Sequence, residues 1–276
     1  MGNNKAIVTM TIGETFQELW RTFCKPGWEK YAHKHGYDII CIDSLIDVSE
    51  RAMARHMNWQ KCLILSQDFS KKYDRIVWVD ADILINANNA PSIVDEVPEG
   101  MVGAIDVFSS PTPGWFPVAL QRYMDITTGS DTFSPNVSMY YKKFGLPDTF
   151  DKVVQGGVIV FSPQHRDTLE KTYYEYEQKG GAEWNYEMRP LSFELQKASK
   201  VQWLDVRYNM NWSIYKCLFY PFLLLESTLE KERKKALSAA CVNAAYHNGY
   251  FLHFAGDKSD MLLVNQESST WTDCKI

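Results

Sequence analysis

The fold is decided by the segment YDRIVWVDADILI, residues 73–85. Within it, residues 75–79 form an apolar run in which every residue after Arg75 is β-branched or aromatic, a composition that favours a buried strand. Asp80 and Asp82 follow this run directly, with Ala81 between them. Because side chains alternate along an extended chain, both carboxylates are expected on the same side of it. The segment therefore predicts a buried strand that ends in a pair of carboxylates.

Apolar runs before and after this segment alternate with helical stretches. The predicted strands are residues 6–11, 37–43, 75–79, 102–105, 156–161, 201–204 and 250–253. The predicted helices are residues 14–35, 54–72, 163–178, 186–197 and 226–246. Continuously apolar strands that alternate with helices are typical of an α/β fold whose mostly parallel sheet is buried on both faces. Residues 108–150, punctuated by proline, predict a loop-rich insertion with short helices.

The composition disfavours several classes of protein. The chain has 276 residues and a net charge of −5, whereas general nucleic-acid binders are more often basic, so no nucleic-acid partner is expected. No apolar run reaches the length of a membrane span, and the polar start resembles no signal peptide. A cytoplasmic chain without a transmembrane segment is therefore expected. The six cysteines are scattered and form no metal-binding pair.

The paired carboxylates predict a metal site. Two like charges at the end of a buried strand repel each other, and burial adds a desolvation cost. A divalent cation removes both penalties, and carboxylate oxygens suit Mn²⁺ or Mg²⁺, particularly when phosphate oxygens complete the coordination. The carboxyl ends of parallel strands are also where open α/β sheets bind their ligands. The alternative is that Asp80 and Asp82 are solvated carboxylates of an ordinary loop.

His253 is the candidate third ligand. It ends an apolar run, and Gly256 follows closely, where a glycine permits close approach of the backbone to a ligand. Together with Asp80 and Asp82 it would complete a set of two oxygen ligands and one nitrogen ligand. The alternative is a histidine that is simply part of the core.

On these residues, segment 73–85 resembles the Asp-x-Asp segment of glycosyltransferases with the GT-A fold. It is similar to the retaining family that contains glycogenin and bacterial lipooligosaccharide galactosyltransferases, and to related galactosyl and xylosyl transferases. Four further segments resemble the family in the same order: residues 59–61, 102–106, 155–161 and 253–258. The resemblance implies one GT-A domain over residues 1–276. Residues 1–106 would form its nucleotide-sugar-binding half, and residues 107–276 its acceptor-side and C-terminal half.

The resemblance also implies roles for particular residues. Asp80, Asp82 and His253 would hold the metal, and Asp80 would also contact the donor. The other implied donor contacts are Thr9, Thr11, Lys61, Gln155, Gly156, Gly256 and Lys258. Asp106 would touch the donor sugar, and Glu187 would take the place of the acidic residue near the anomeric carbon.

The chain departs from the family pattern at two of these segments. The motif that begins at His253 is one residue short before Lys258, which puts the diphosphate contact of that lysine in question. Gln155 and Gly156 replace an Asn-Ala pair, so hydrogen bonding to the donor sugar would differ.

These features predict a metal-dependent glycosyltransferase with Mn²⁺ or Mg²⁺ as cofactor. It would transfer a hexose or pentose from a nucleotide-sugar donor, a UDP-sugar by resemblance, to a glycan or other hydroxyl acceptor with retention of configuration. The insertion, with Trp115 and Tyr141, is expected to shape the acceptor side. Two alternatives stay open: a sugar nucleotidyltransferase on a similar fold, and an inactive sugar- or nucleotide-binding module. The nucleotidyltransferase is disfavoured because residues 11–15 lack a basic side chain.

Overall fold

The structure is a computed structural model that describes residues 4–127, 136–179, 186–224, 231–256 and 258–268. The strands are β1 Lys5–Met10, β2 Tyr37–Ile42, β3 Arg75–Val79, β4 Ile83–Ile85, β5 Val102–Asp106, β6 Val154–Phe161, β7 Val201–Trp203, β8 Met210–Asn211 and β9 Phe251–His253. The α-helices are α1 Glu14–Leu19, α2 Lys25–His35, α3 Glu50–Met53, α4 Phe116–Thr127, α5 Val137–Lys142, α6 Arg166–Glu175, α7 Met188–Ala198, α8 Trp212–Phe219 and α9 Lys231–Asn248.

The larger sheet has six strands in the order β2-β1-β3-β6-β5-β7. β1 runs parallel to both β2 and β3, and β5 runs parallel to β7. β6 alone is reversed, since it pairs antiparallel with both β3 and β5. The α/β class and the mostly parallel central sheet flanked by helices are therefore confirmed.

β3 lies in the middle of this sheet and is buried along its whole length. Its side chains alternate between two hydrophobic clusters, with Val77 and Val79 in one and Ile76 and Trp78 in the other. This alternation is the physical reason for the continuous apolar run in the sequence, because a strand covered on both faces has no solvent-facing side chains.

A second sheet of three strands was missed from the sequence, although the apolar run of β9 itself was predicted. Its order is β4-β9-β8, with β4 antiparallel to β9 and β8 parallel to β9. β4 begins directly after Asp82, and its first residue, Ile83, pairs with His253. The small sheet thus brings the end of a distant segment beside the paired carboxylates.

Two of the predicted helices have a different form in the structure, and α3 and α8 were not predicted. The stretch 14–35 contains a π-helical turn, Trp20–Cys24, between α1 and α2. The stretch 54–72 forms two 3₁₀-helices, Met57–Ser66 and Asp68–Lys72, instead of one α-helix. Seven consecutive residues of the first, 59–65, are buried, so the segment does not present the one-sided apolar stripe of a surface α-helix.

The insertion and the C-terminal helix agree with the prediction where the structure describes them. Residues 108–150 contain α4 and α5, while residues 128–135 lie outside the described residues. Tyr141 is a core residue with no exposed surface, so its expected role toward an acceptor is wrong; Trp115 is half exposed. Of the predicted helix 226–246, residues 226–230 lie outside the described residues.

Across the described ranges, no helix is both long enough and apolar enough to cross a membrane.

Candidate active site

Three side chains predicted as metal ligands converge where the two sheets meet. Asp80 follows β3, and its backbone N–H donates to the carbonyl of Gly157 in β6 at 2.8 Å. Asp82 precedes β4, and its carbonyl accepts from the N–H of Phe254 at 3.0 Å, next to His253. One ligand atom from each of Asp80, Asp82 and His253 lies within 4.8 Å of the others. The backbone of three separate strands therefore fixes this group.

The carboxylate of Asp80 has one oxygen directed at the protein and one directed at the histidine. Its Oδ1 accepts a hydrogen bond from the indole N–H of Trp78 at 2.7 Å and lies 3.4 Å from the ammonium of Lys61. Its Oδ2 lies 3.8 Å from Nε2 of His253. Because Oδ1 is already satisfied, Oδ2 is the oxygen available to a ligand.

Asp82 is arranged in the same way. Its Oδ1 lies 3.2 Å from Nε2 of His253, and its Oδ2 lies 3.1 Å from the ammonium of Lys258. Burial opposes ionisation of this carboxyl, but the neighbouring His253 and Lys258 outweigh burial and lower its pKa to about 2. Asp82 is therefore an anion at any physiological pH.

The three side chains fit a divalent cation. Two carboxylate oxygens and one imidazole nitrogen form a donor set suited to Mn²⁺, and to Mg²⁺ when oxygen ligands complete the shell. One ligand atom of each residue lies within 4.8 Å of the others, a separation that a single cation can span. The cation would also relieve the repulsion between Asp80 and Asp82.

Lys61 is buried in an ion-paired cluster beside these ligands. Its Nζ lies 2.9 Å from Oε1 of Glu187, 3.0 Å from the carbonyl of Gly156 and 3.4 Å from Asp80. The side chains of Lys61 and Glu187 are 5% and 3% exposed. Burial acts to lower the pKa of Lys61, but Asp80 and Glu187 outweigh burial and raise it above its ordinary value. The ammonium therefore stays charged and connects Glu187 to the candidate metal ligand Asp80.

Two consecutive glycines of β6 allow the backbone to approach this site. A Cβ on Gly157 would lie 2.7 Å from Cε1 of His253 and 2.9 Å from Nδ2 of Asn209, which is closer than packed atoms tolerate. A Cβ on Gly156 would lie no closer than 3.4 Å to Glu187, an ordinary contact. Gly156 is the glycine predicted to contact the donor, whereas Gly157 is the one whose lack of a side chain the packing around His253 requires.

We expect Gly157→Ala to weaken Mn²⁺ binding by about 10-fold or more, the loss typical when a metal ligand is displaced from its supported position. The added methyl group would push His253 away from the two carboxylates. Titration of Mn²⁺ against the purified variants measures this, with Gly156→Ala as the matched control that retains binding. Equal Mn²⁺ affinity in Gly157→Ala and the parent would contradict the geometry.

The fold resembles that of a solved glycosyltransferase, although no protein-family model and no curated protein sequence matches the chain. A glycosyltransferase involved in the glycosylation of the major capsid of PBCV-1 is 12% identical, with a TM-score of 0.53 over 94% of this chain and 100% of that one. The chain has a GT-A-like glycosyltransferase fold.

Two further solved structures resemble this GT-A-like chain more distantly. The apo structure of the bifunctional glycosyltransferase WbbM is 15% identical, with a TM-score of 0.49 over 95% of this chain and 49% of that one. The galactosyltransferase LgtC, solved in complex with donor and acceptor sugar analogs, is 12% identical, with a TM-score of 0.43 over 91% and 87% of the two chains.

Gly256 and Lys258 are two of the implied donor contacts, and their donor roles stay predictions. Gly256 has a φ of 84°, a left-handed conformation that favours glycine, and Lys258 reaches Asp82. The motif that is one residue short therefore still brings an ammonium beside the candidate metal ligands. The intervening Asp257 lies outside the described residues.

Four other predicted site residues lie in or directly after strands of the larger sheet: Asp106, Thr9, Thr11 and Gln155. Both oxygens of Asp106 accept hydrogen bonds, from Ser109 and from the backbone N–H groups of residues 108 and 153. Thr9 has no exposed surface, and the hydroxyl of Thr11 lies 3.2 Å from Sγ of Cys41. Gln155 is half-buried in β6, next to Gly156. The donor roles of these four residues stay predictions.

Two side chains beside the Lys61–Glu187 pair, Trp78 and His56, were not predicted from the sequence. Trp78 donates to Asp80, and its only signal was a spacing of two residues, which places both side chains on the same side of an extended strand. His56 stacks on Tyr186, with ring centroids 3.8 Å apart. Burial lowers the pKa of His56, an effect that Glu187 opposes and Lys61 reinforces. No sequence spacing pointed to this stacked pair, because the two rings are far apart in the chain.

Proposed function

We propose that this chain is a metal-dependent glycosyltransferase acting as one GT-A domain over residues 1–276. It would transfer a hexose or pentose from a UDP-sugar to a hydroxyl group of a glycan or glycoconjugate, with retention of the anomeric configuration. The observation that carries the proposal is the convergence of Asp80, Asp82 and His253 at the end of a central strand of a GT-A-like fold.

In this proposal the chain supplies mainly position and charge. Asp80, Asp82 and His253 would hold Mn²⁺ or Mg²⁺, which when bound neutralises the negative charge that develops on a departing nucleotide diphosphate. Lys258, already 3.1 Å from Asp82, would place a second positive charge beside the same diphosphate. Fixed charges of this kind act without reorganisation during the reaction, which is the usual origin of large rate effects.

Glu187 is the acidic group that we assign to the donor-sugar side of the site. Its carboxylate lies 2.9 Å from Lys61, which in turn contacts Asp80, so the acid is tied to the metal-binding group through a single ammonium. Gly156, which has no side chain, lies next to the Glu187 carboxylate. In a reaction with retention, Glu187 would act on the face of the sugar opposite the leaving group, as a nucleophile or as an orienting anion. Nuclear magnetic resonance of the first-formed product would report its anomeric configuration and so test retention.

The decisive test is calorimetric titration of UDP and of GDP, each with and without Mn²⁺. We expect UDP to bind only when Mn²⁺ is present, because the diphosphate would complete the metal coordination. Asp82→Ala should lose this binding. Binding of GDP in place of UDP would change the proposed donor, and the absence of binding by both nucleotides would overturn the proposal.

Donor hydrolysis distinguishes the enzyme from an inactive module with the same site. A glycosyltransferase supplied with its donor sugar in the absence of acceptor commonly uses water as a slow acceptor, so we expect release of UDP from a suitable UDP-sugar. Metal-dependent nucleotide binding without turnover of any UDP-hexose or UDP-pentose would instead identify a binding module.

A further inference from the structure

Asn209 lies behind the candidate ligand His253. It ends a 3₁₀-helix, Val206–Asn209, directly before β8, and it has no exposed surface. Its Oδ1 lies 2.8 Å from Nδ1 of His253. Because β8 pairs with β9 in parallel register, the backbone of the asparagine is fixed relative to the backbone of the histidine.

This contact determines which imidazole nitrogen carries the proton. An amide oxygen only accepts hydrogen bonds, so Nδ1 of His253 must donate, and Nε2 of the neutral ring is left with a lone pair. Nε2 is also the nitrogen that faces Asp82 at 3.2 Å and Asp80 at 3.8 Å. The lone pair therefore points at the place where the two carboxylates present their free oxygens.

We infer that Asn209 is a positioning residue that holds His253 in the Nδ1–H tautomer, with Nε2 directed at a divalent cation. The inference rests on the metal site of the proposed function. Partners of this kind fix the orientation of a ligating histidine and tune its basicity, and their loss typically weakens metal binding.

The surroundings of the pair support a positioning role over a simple packing role. The Nδ2 atom of Asn209 is buried without a hydrogen-bond partner in the described part of the chain. An unsatisfied buried donor has a free-energy cost, so this asparagine is a poor choice for filling space. Gly157 packs against both side chains so closely that neither can swing toward β6. The arrangement keeps one orientation of the amide and one orientation of the ring.

The first test uses Mn²⁺ alone, titrated against the full chain without nucleotide and followed by the electron paramagnetic resonance of free Mn²⁺. We expect Asn209→Ala to weaken the affinity by about 10- to 100-fold, whereas Asn209→Asp, which keeps an acceptor oxygen, should retain most of it. The control is Asn86→Ala, which removes a similarly buried amide that donates to the carbonyl of Tyr246. Equal affinity in Asn209→Ala and Asn86→Ala would overturn the inference.

The second test needs no metal and so separates this inference from the proposed function. Nitrogen-15 resonances of the His253 ring in the metal-free parent should report a proton on Nδ1, and Asn209→Ala should reduce the fraction of rings that carry it. An Nε2–H tautomer in the parent would overturn the inference even if Asn209→Ala failed to fold. If the parent carries the proton on Nδ1 but does not bind Mn²⁺, the contact between Asn209 and His253 stands. The proposed function and the role of Asn209 in metal binding are then both contradicted.

Discussion

Replacing Asp82 with alanine is expected to lower the rate of sugar transfer by about 10³-fold. The variant would lose the carboxylate oxygen nearest to Nε2 of His253, at 3.2 Å, and with it one of the three candidate metal ligands. A bound metal that polarises a phosphoryl oxygen contributes several kcal/mol of transition-state stabilisation, and roughly 4 kcal/mol corresponds to this loss of rate. Initial rates of UDP release at saturating acceptor and Mn²⁺ would measure it.

The matched control for Asp82→Ala is Asp74→Ala. Asp74 is an exposed carboxylate at the opposite end of β3, so it shares the strand but not the site. We expect Asp74→Ala to transfer sugar at the same rate as the parent. A rate in Asp82→Ala that fell only slightly, and that still depended on Mn²⁺, would show that the metal is held elsewhere. The GT-A-like fold would then stand without the site proposed for it.

The sequence was sufficient to predict the central sheet because the information there is local. β3 is apolar at consecutive positions since both of its faces are covered, and such a run is visible without knowledge of any partner strand. The two aspartates were found for the same reason, since they directly follow that run. His253 was found only as the end of a distant apolar run, and its relation to Asp80 and Asp82 rested on a family resemblance.

The rest of the site could not be predicted because it depends on contacts between distant segments. β4 and β8 have three and two residues, too few to show a pattern, yet their pairing with β9 is what brings His253 to Asp82. Lys61 was expected to contact the donor, a role that stays a prediction, and the structure shows that its ammonium also contacts Glu187, Gly156 and Asp80. A lysine on a helical segment gives no sign in the sequence that it is 5% exposed and ion-paired.

The Lys61–Glu187 pair leads to the second large expected effect, on stability. Lys61→Met would leave the Glu187 carboxylate, 3% exposed, without its cation. Removal of one partner of a buried ion pair is strongly destabilising, and we expect the free energy of unfolding to fall by about 3–5 kcal/mol. Urea unfolding of the metal-free protein measures this change. The control is Lys30→Met, which breaks an exposed pair with Glu267 and should cost less than about 1 kcal/mol.

The double variant Lys61→Met/Glu187→Gln decides whether the charge of Glu187 is the cause. Glutamine has nearly the shape of glutamate but no charge to leave uncompensated, so the double variant should regain much of the stability that Lys61→Met loses. If it stays as unstable as Lys61→Met, the lysine stabilises the fold through its packing and its contacts with Gly156 and Asp80, and not through its pairing with Glu187. If stability returns while sugar transfer does not, the buried ion pair serves catalysis. The fold would then bear the desolvation cost of two buried charges that sugar transfer requires.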